Sequence, residues 1–248
     1  LEIFIPARSG SQRIKNKNLQ KINKKDSLLV SKIKICKKIF NTRVVVSTDS
    51  KKIKNIALRT GAEVPFMRKK KYATSKASTI SVILEYLRFL KENGKIIPKY
   101  LMILPVTNPF LKSESIKKSI KMLNYLNKNK KINSILSFTD STEHPFLYVD
   151  LNKKNLKFNL FSYKKKKYST LERTQDWPKS YIGSPALKIT RTKFFLRHIK
   201  NISPTFNLKT FDVKNSIGVY ISRLENYDIN NLPDLKFARL LTNFKNFK

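Results

Sequence analysis

The sequence predicts an α/β fold in which an open, mainly parallel sheet is flanked by helices. Short apolar runs alternate with amphipathic stretches through the first half, which is the pattern of successive βαβ units. The chain has 248 residues, enough to bury a sizeable core, and 40% of them are hydrophobic. These observations argue against wholesale disorder and against a short scaffold held by disulfides.

The first half should contain one strand in each of its apolar runs. The predicted strands are Leu1–Pro6, Arg43–Thr48, Ala62–Phe66, Tyr100–Leu104 and Ile132–Phe138. Helices are predicted between them, at about 28–40, 50–60, 77–93 and 113–127. Ser113 should open the last of these helices, because a serine hydroxyl can cap the free amide groups of a first turn.

The second half changes character. Residues 145–170 alternate short apolar runs with lysine blocks such as 164–167, which predicts a β-hairpin or an excursion from the sheet with a solvated, charged tip. Short strands are expected near 185–190 and 217–222. A helix from about Asp234 to Phe244 should close the chain.

The net charge of +37 first suggests a protein that binds nucleic acid or another polyanion. The lysines are scattered through every segment together with asparagine and isoleucine, whereas a nucleic-acid face usually clusters its charge and uses arginine. Drift of composition in an A+T-rich genome explains that scatter better. We therefore expect unspecific attraction of polyanions and no specific nucleic-acid partner.

Cys36 is the only cysteine, so no disulfide can form within the chain, and a reducing compartment is expected. Its position in the apolar phase of a predicted helix favours a buried side chain. No apolar run reaches the roughly 18 residues of a membrane span, and the apolar start lacks the basic flank of a signal peptide. A cytoplasmic protein without a membrane segment is expected.

A basic loop follows the first predicted strand, at residues 7–18. It contains Gly10, small hydroxyl residues and four cationic side chains, and open α/β sheets bind ligands at the carboxyl ends of their strands. Gly10 should allow a turn that presents N–H groups to phosphate oxygens, while Arg8 and Lys17 neutralise phosphate charge. The loop is neither a Walker A nor a dinucleotide-binding sequence, and composition alone allows an ordinary basic loop equally well.

The order of residues in this loop resembles the A-R-x-G-S-x-x-I-x-x-K-N signature of the CMP-sialic acid synthetase family. This family comprises the acylneuraminate cytidylyltransferases and includes relatives for pseudaminic, legionaminic and 3-deoxy-octulosonic acids. The matching residues are Arg8, Gly10, Ser11, Ile14, Lys17 and Asn18. Further elements similar to those of the family follow in order at 46–50, 61–68, 104–110, 143–145, 173–181 and 227–238. The resemblance therefore extends over most of the chain.

The resemblance implies a nucleotidyltransferase, Rossmann-like fold. It further implies one cytidylyltransferase domain over 1–248 with a small extended dimerisation lobe at about 140–190, and a homodimer. In the implied reaction the anomeric hydroxyl of an acidic nine-carbon sugar attacks the α-phosphate of CTP, and pyrophosphate leaves. Cations and Mg²⁺ should supply most of the catalysis, because nucleotidyl transfer depends on positioning and on neutralising charge.

The resemblance also assigns residues to roles. Arg8 and Lys17 are the implied catalytic residues. The implied nucleotide-binding residues are Arg8, Gly10, Ser11, Lys17, Asn18, Arg68, Ser78 and Thr79. Among them, Arg68 and one of Ser78 or Thr79 are the candidates for binding cytidine. The implied sugar-binding residues are Thr107, Arg173, Gln175 and Tyr181, with Arg173 facing the sugar carboxylate. The implied metal ligands are Asp228 and Asn230.

The chain departs from the family pattern where metal and sugar are expected. The family's D-I-D pair reads Asp228-Ile229-Asn230, and a neutral amide binds Mg²⁺ more weakly than a carboxylate. Pro105 replaces a glutamine, and Ser184 and Lys188 stand where relatives have an amide and a tyrosine. Altered acceptor specificity is the simplest explanation.

Other functions remain open on the sequence alone. The chain is alternatively a cytidylyltransferase for another 2-keto-3-deoxy sugar, or a non-catalytic homologue that binds nucleotides or polyanions. Three polar residues are also ambiguous. Asp49 either lines the nucleotide site or caps the next helix, Asp234 is expected to cap the final helix, and His144 before Pro145 is expected to be structural.

Overall fold

The computed structural model describes residues 1–39, 42–151, 158–160, 173–201 and 213–244. The strands in these ranges are β1 (Glu2–Pro6), β2 (Arg43–Ser47), β3 (Tyr100–Ile103), β4 (Ser134–Asp140), β5 (Val149–Leu151), β6 (Phe158–Leu160), β7 (Tyr181–Arg191) and β8 (Ser216–Tyr220). The helices are α1 (Leu28–Lys37), α2 (Lys51–Arg59), α3 (Thr79–Glu92), α4 (Ser113–Lys121), α5 (Leu123–Lys128), α6 (Thr192–Leu196), α7 (Arg223–Asn226) and α8 (Leu232–Asn243).

Six strands form one sheet in the order β2-β1-β3-β7-β4-β8. All neighbours are parallel except that β7 runs antiparallel between β3 and β4. The predicted mainly parallel sheet is therefore confirmed. Since β7 is reversed, its amino end lies at the same edge of the sheet as the carboxyl ends of the other five strands.

Helices cover both faces of this sheet, because successive side chains of a buried strand point to opposite sides. In β1, Ile3 and Ile5 pack into the core cluster that includes buried residues of α1, α2, α4 and α8. Phe4 points the other way, into a second cluster with α3 and α6. Cys36 is fully buried in the first cluster, as predicted, and burial raises its pKa to about 11.

The prediction of a strand at Ala62–Phe66 is wrong. Glu63 pairs with β2 through an isolated bridge to Val45, and a second bridge joins Met67 to Thr48. Between them lies Pro65, which has no N–H to donate and so interrupts the ladder. This segment is an extended edge that touches β2 at two points.

Two helix starts also differ from the prediction. The cap position of α4 is Lys112, which makes no side-chain cap, while the Ser113 hydroxyl bonds to Glu114 instead. The predicted helix over 113–127 is divided at Met122 into α4 and α5. The final helix begins at Leu232, with Asn231 as its cap and Asp234 completing a capping box, so the capping role of Asp234 is confirmed.

Part of the predicted excursion at 145–170 is observed. β5 and β6 pair antiparallel in a separate two-stranded sheet, as a hairpin requires. The lysines at 164–167 lie outside the described residues. None of the helices in the described part of the chain is both long and apolar enough to cross a membrane.

Candidate active site

The basic loop begins at the carboxyl end of β1. It is held there by Asp49, which lies two residues after the end of β2. Asp49 accepts a hydrogen bond from the Ser9 amide at 2.8 Å and another from the Ser9 hydroxyl at 2.5 Å. Helix α2 is capped by Ser50, so Asp49 is not the helix cap. Its carboxylate instead fixes the start of the loop at the edge where open α/β sheets bind ligands.

Asn18 stabilises the same loop through a hydrogen bond of its side chain. It is buried, and its Nδ2 donates to the Arg8 carbonyl at 2.8 Å. The chain turns at Gly10, where the Ser11 amide donates to the Ser9 carbonyl at 2.9 Å. The turn does not require glycine, because the φ of Gly10 is not positive and a Cβ built there would come no closer than 3.9 Å, to the Ala73 carbonyl. The left-handed residue of this loop is Asn16, with φ of 53°. Gly10 and Ser11 lie in its open part, Gly10 exposed and Ser11 half-buried.

Lys17 joins the loop to the segment that carries the predicted metal ligands. Its Nζ donates to the Ile229 carbonyl at 2.9 Å. Burial lowers the pKa of Lys17, and the negative charge of Asp228 opposes that shift. Nearby, Arg13 Nη1 lies 3.4 Å from Asn230 Oδ1. Residues more than 200 positions apart thus meet at one place, as their assigned roles require.

Asp228 and Asn230 contact each other. The Asn230 amide Nδ2 donates to Asp228 Oδ2 at 3.1 Å, and its Oδ1 faces Arg13. Asp228 Oδ1 is buried and has no hydrogen-bond partner in the described part of the chain. The donor set therefore fits a metal held by one carboxylate and completed by substrate phosphates, as Mg²⁺ often is. In the described residues no three His, Cys, Asp or Glu side chains cluster as a metal site.

Arg68 is buried at the end of β2. Its Nε donates to Ser47 Oγ at 3.0 Å and its Nη2 to the Ser47 carbonyl at 2.6 Å. These two hydrogen bonds stabilise the end of β2. Burial lowers the pKa of Arg68 to about 10, with the charges of Asp49 and Glu85 opposing the shift. Arg68 therefore contacts Ser47, two residues before the Asp49 that holds the loop.

Arg8, Ser78 and Thr79 lie toward the amino end of α3. Arg8 Nη1 is 3.4 Å from the Ala73 carbonyl, in the segment that precedes this helix. The Ser78 hydroxyl caps α3 by accepting from the Ser81 amide at 3.1 Å. Thr79 is the first, exposed residue of the helix. Ser78 is therefore engaged in capping, and Thr79 presents its side chain to solvent.

The predicted sugar-binding residues are divided between two places. Thr107 follows β3, and its carbonyl accepts from the Ile229 amide at 2.9 Å, beside Asp228. Arg173 has a 71% exposed side chain, and its Nε is 3.9 Å from Asp176 Oδ2. Tyr181 begins β7, is 54% exposed and packs edge-on against Phe138 at 5.4 Å.

A cleft of about 530 Å³ lies at the carboxyl end of β4. Its lining includes Gln175, His144, Trp177 and Arg223, whereas Arg173 and Tyr181 do not line it. His144 Nε2 lies 2.9 Å from the Pro178 carbonyl, and its ring is 4.9 Å from that of Trp177, so its contacts are those expected of a structural residue. Sequence reasoning did not single out Arg223, which has no motif around it.

Sequence reasoning also missed Lys32, a lysine of α1 that is only 1% exposed. Its Nζ donates to the Asn108 carbonyl at 2.7 Å, in the loop after β3. Burial lowers the pKa of Lys32 to about 8, while Cys36 and Asp228 raise it. The available signal was its helical spacing, which places it on the same buried face as Leu28, Leu29, Ile33 and Cys36.

Comparison with known proteins identifies a family for the chain. The sequence model of a family described as Cytidylyltransferase matches residues 3–211. The CMP-N,N'-diacetyllegionaminic acid synthase of Legionella pneumophila is 31% identical over 117 residues, which cover 47% of this chain and 50% of that protein. A pseudaminic acid cytidylyltransferase of Campylobacter jejuni is 30% identical over 116 residues, covering 47% and 50%. The chain spans about half the length of these relatives.

Solved structures show the same fold. A CMP:2-keto-3-deoxy-manno-octonic acid synthetase complexed with CTP superposes with a TM-score of 0.67 at 13% identity, covering 97% of both chains. A 4-diphosphocytidyl-2C-methyl-D-erythritol synthase from Anaerococcus prevotii gives 0.62 at 13% identity, again with 97% of both chains covered. At these identities the likeness concerns the fold alone.

Proposed function

We propose that this chain, which belongs to the cytidylyltransferase family, transfers CMP from CTP to an acidic nine-carbon sugar of the sialic acid type and releases pyrophosphate. The observation that carries the proposal is the contact between the basic loop and the Asp228 segment, made by Lys17 on the Ile229 carbonyl at 2.9 Å. It brings phosphate-neutralising cations beside a carboxylate that can hold a metal. The relatives named for legionaminic and pseudaminic acid support the choice of acceptor.

For the donor, Arg8 and Lys17 neutralise the triphosphate, and their charge counts most where negative charge develops on the leaving pyrophosphate. Gly10 offers its backbone amide in the open part of the loop, and Ser11 offers its hydroxyl, because the Ser11 amide donates to the Ser9 carbonyl. Asn18 keeps the loop in place by donating to the Arg8 carbonyl. The cytidine binds toward Arg68, Ser78 and Thr79. Because Arg68 is buried, we assign it to supporting the cytidine-binding site.

We further propose Mg²⁺ as the cofactor. Asp228 is its protein ligand, Asn230 is at most a weak neutral one, and the phosphates of CTP complete the coordination. When bound, Mg²⁺ neutralises phosphate charge and polarises the α-phosphate toward attack. Asp228 Oδ1, buried without a hydrogen-bond partner among the described residues, is the atom that such an ion would satisfy.

The acceptor lies between Thr107 and the cleft at the end of β4, which Gln175 lines. Its carboxylate needs a cation. Arg173 was the candidate from the sequence, and Arg223 is a second one because it lines the cleft. Tyr181 stands at the start of β7 on the same edge of the sheet.

Assembly and location belong to the same proposal. Residues 1–248 form one catalytic domain, and the lobe at about 140–190 pairs two copies into a homodimer. Tyr181 and Ile182, which are 54% and 45% exposed, offer apolar surface for that contact. We propose a cytoplasmic location, in line with the single cysteine of the sequence.

A panel of acidic sugars assayed with CTP and Mg²⁺ tests the function. Pyrophosphate should be released with sialic, legionaminic or pseudaminic acid and not with neutral sugars. Release only with an eight-carbon 2-keto-3-deoxy acid would move the assignment to another cytidylyltransferase. Calorimetric binding of CTP without turnover on any sugar would instead support a non-catalytic nucleotide-binding homologue.

A further inference from the structure

The side chain of Asn108 joins the loop after β3 to the segment that leads to Asp228. Asn108 is completely buried in this loop. Its Nδ2 donates to the Asn226 carbonyl at 3.2 Å and to the Tyr227 carbonyl at 3.1 Å. These carbonyls belong to the last residue of α7 and to the residue after it, where a helix leaves its carbonyls without partners of its own. One amide group thus binds the two carbonyls that immediately precede Asp228.

The same loop makes two further contacts around Asp228. On the far side, the Thr107 carbonyl accepts from the Ile229 amide at 2.9 Å. On the near side, Glu225 is buried and its Oε1 accepts from the Lys112 amide at 3.1 Å. Hydrogen bonds from one loop therefore hold the backbone both before and after Asp228.

Asn108 is also fixed through its main chain. Its carbonyl accepts from Lys32 Nζ at 2.7 Å, and Lys32 is a buried residue of α1. Because the Asn108 side chain is shielded from water, breaking its hydrogen bonds would leave a buried amide without partners, which is costly. The loop after β3 and the segment before Asp228 should therefore keep a fixed arrangement.

The position of Asp228 matters because the segment offers the proposed metal little else. Asn230 carries no charge, and its Nδ2 donates to Asp228 Oδ2 at 3.1 Å. Asp234 Oδ2 accepts from the amides of Asn230 and Asn231 at the start of α8. A site with a single carboxylate ligand depends strongly on the orientation of that carboxylate, which the residues supporting it determine.

We propose that Asn108 is a positioning residue, which holds the segment before Asp228 in its metal-binding conformation before metal and nucleotide arrive. The inference rests on the proposed function, because that function assigns Asp228 as the metal ligand. Asn108 itself does not bind CTP or metal. It lowers the cost of ordering the segment, so its effect should appear where the metal contributes to CTP binding.

Calorimetry of CTP binding, with Mg²⁺ and again with EDTA, isolates that contribution. Asn108→Ser keeps one hydroxyl donor but is too short to reach both carbonyls. Its affinity for CTP should fall about tenfold with Mg²⁺, as expected of a residue that supports a metal ligand. With EDTA its affinity should be unchanged, because the basic loop is held separately by Asp49.

Thr190→Val is the matched control. It removes a buried hydrogen bond, 3.0 Å long, between Thr190 Oγ1 and Ser134 Oγ. Ser134 begins β4, at the edge of the sheet opposite the site. Both affinities for CTP should therefore equal those of the wild type in this variant.

Hydrogen exchange of the protein without ligands gives a second readout. The Ile229 amide should exchange faster in Asn108→Ser, because the segment opens more often, and at the wild-type rate in Thr190→Val. Glu225→Gln removes one acceptor oxygen from the second contact of the loop and should act in the same direction. It carries both comparisons if Asn108→Ser does not fold.

The two readouts separate this inference from the function on which it rests. If the wild type binds CTP more tightly with Mg²⁺, then wild-type affinity or wild-type exchange at Ile229 in folded Asn108→Ser would overturn the inference. Equal changes in Thr190→Val would overturn it as well. Wild-type affinity for CTP that is the same with Mg²⁺ and with EDTA would instead overturn the metal assignment, and hydrogen exchange would still decide whether Asn108 positions the segment.

Discussion

At the scale of single residues, Lys17 connects the two halves of the site. Its side chain lies between the basic loop and the Asp228 segment, with its Nζ on the Ile229 carbonyl. A cation in this place stabilises a triphosphate most where pyrophosphate separates, so its contribution should appear in the rate as well as in binding.

Replacing Lys17 with alanine should therefore raise the activation barrier by about 2–4 kcal/mol, measured as kcat/KM for pyrophosphate release. Lys24→Ala removes the same charge from an exposed position after the loop and serves as control. Unchanged turnover in Lys17→Ala would refute the role of Lys17.

The pH dependence of the reaction should report the same side chain. The pKa of Lys17 lies below its ordinary value of 10.5 because burial disfavours the charged form. Only the protonated ammonium neutralises phosphate, so kcat/KM for CTP should fall on the alkaline side at a pH below 10.5. Lys17→Arg should move this fall to higher pH. An identical alkaline profile in that variant would contradict the assignment.

At the scale of elements, the start of α8 holds the segment that carries the proposed metal ligands. Asn231 accepts from the Asp234 amide, and Asp234 accepts in return from the amides of Asn230 and Asn231. This capping box fixes the backbone immediately after Asp228 and Ile229. A substitution that weakens this capping box should therefore also change the geometry of the site.

Asn231→Ala should cost about 1 kcal/mol of the free energy of unfolding, because it leaves an amide of the first turn without its cap. Chemical denaturation measures this loss. Lys236→Ala, on the exposed side of the same helix, is the control and should change the stability by less than about 0.5 kcal/mol. A loss equal in both variants would mean that the cap has no specific role.

The sequence predicted these elements unevenly, and the reasons are physical. Periodicity placed β1, β2, β3 and α1 to within a few residues, because buried strands and amphipathic helices leave clear patterns. The strand at Ala62–Phe66 was wrong because one proline outweighs a favourable composition. The antiparallel direction of β7 was not foreseen, since strand order depends on contacts distant in sequence.

The residues of the site were also predicted unevenly. The loop, the Asp228 segment and Thr107 could be predicted because their order resembles a family signature, and the structure brings them together. Lys32 and Arg223 were missed because neither lies in a motif. Spacing on α1 could have identified Lys32 as buried, but its hydrogen bond to the Asn108 carbonyl depends on the fold.

At the scale of the whole molecule, the net charge of +37 remains the dominant feature. We expect it to produce unspecific binding to DNA whose affinity falls steeply as salt rises, without preference between sequences. Fluorescence anisotropy with two unrelated duplexes over a salt series checks this expectation. A sequence preference that persists at physiological salt would favour a nucleic-acid function instead.

The central claim is the transfer of CMP from CTP to an acidic sugar, and labelled CTP tests it most directly. With ³²P in the α-phosphate, Mg²⁺ and a sialic acid-like acceptor, the label should move into a CMP-sugar in equal amount with unlabelled pyrophosphate. Lys17→Ala should slow this transfer. If the wild type binds CTP but leaves the label there with every acidic sugar tested, the account is contradicted.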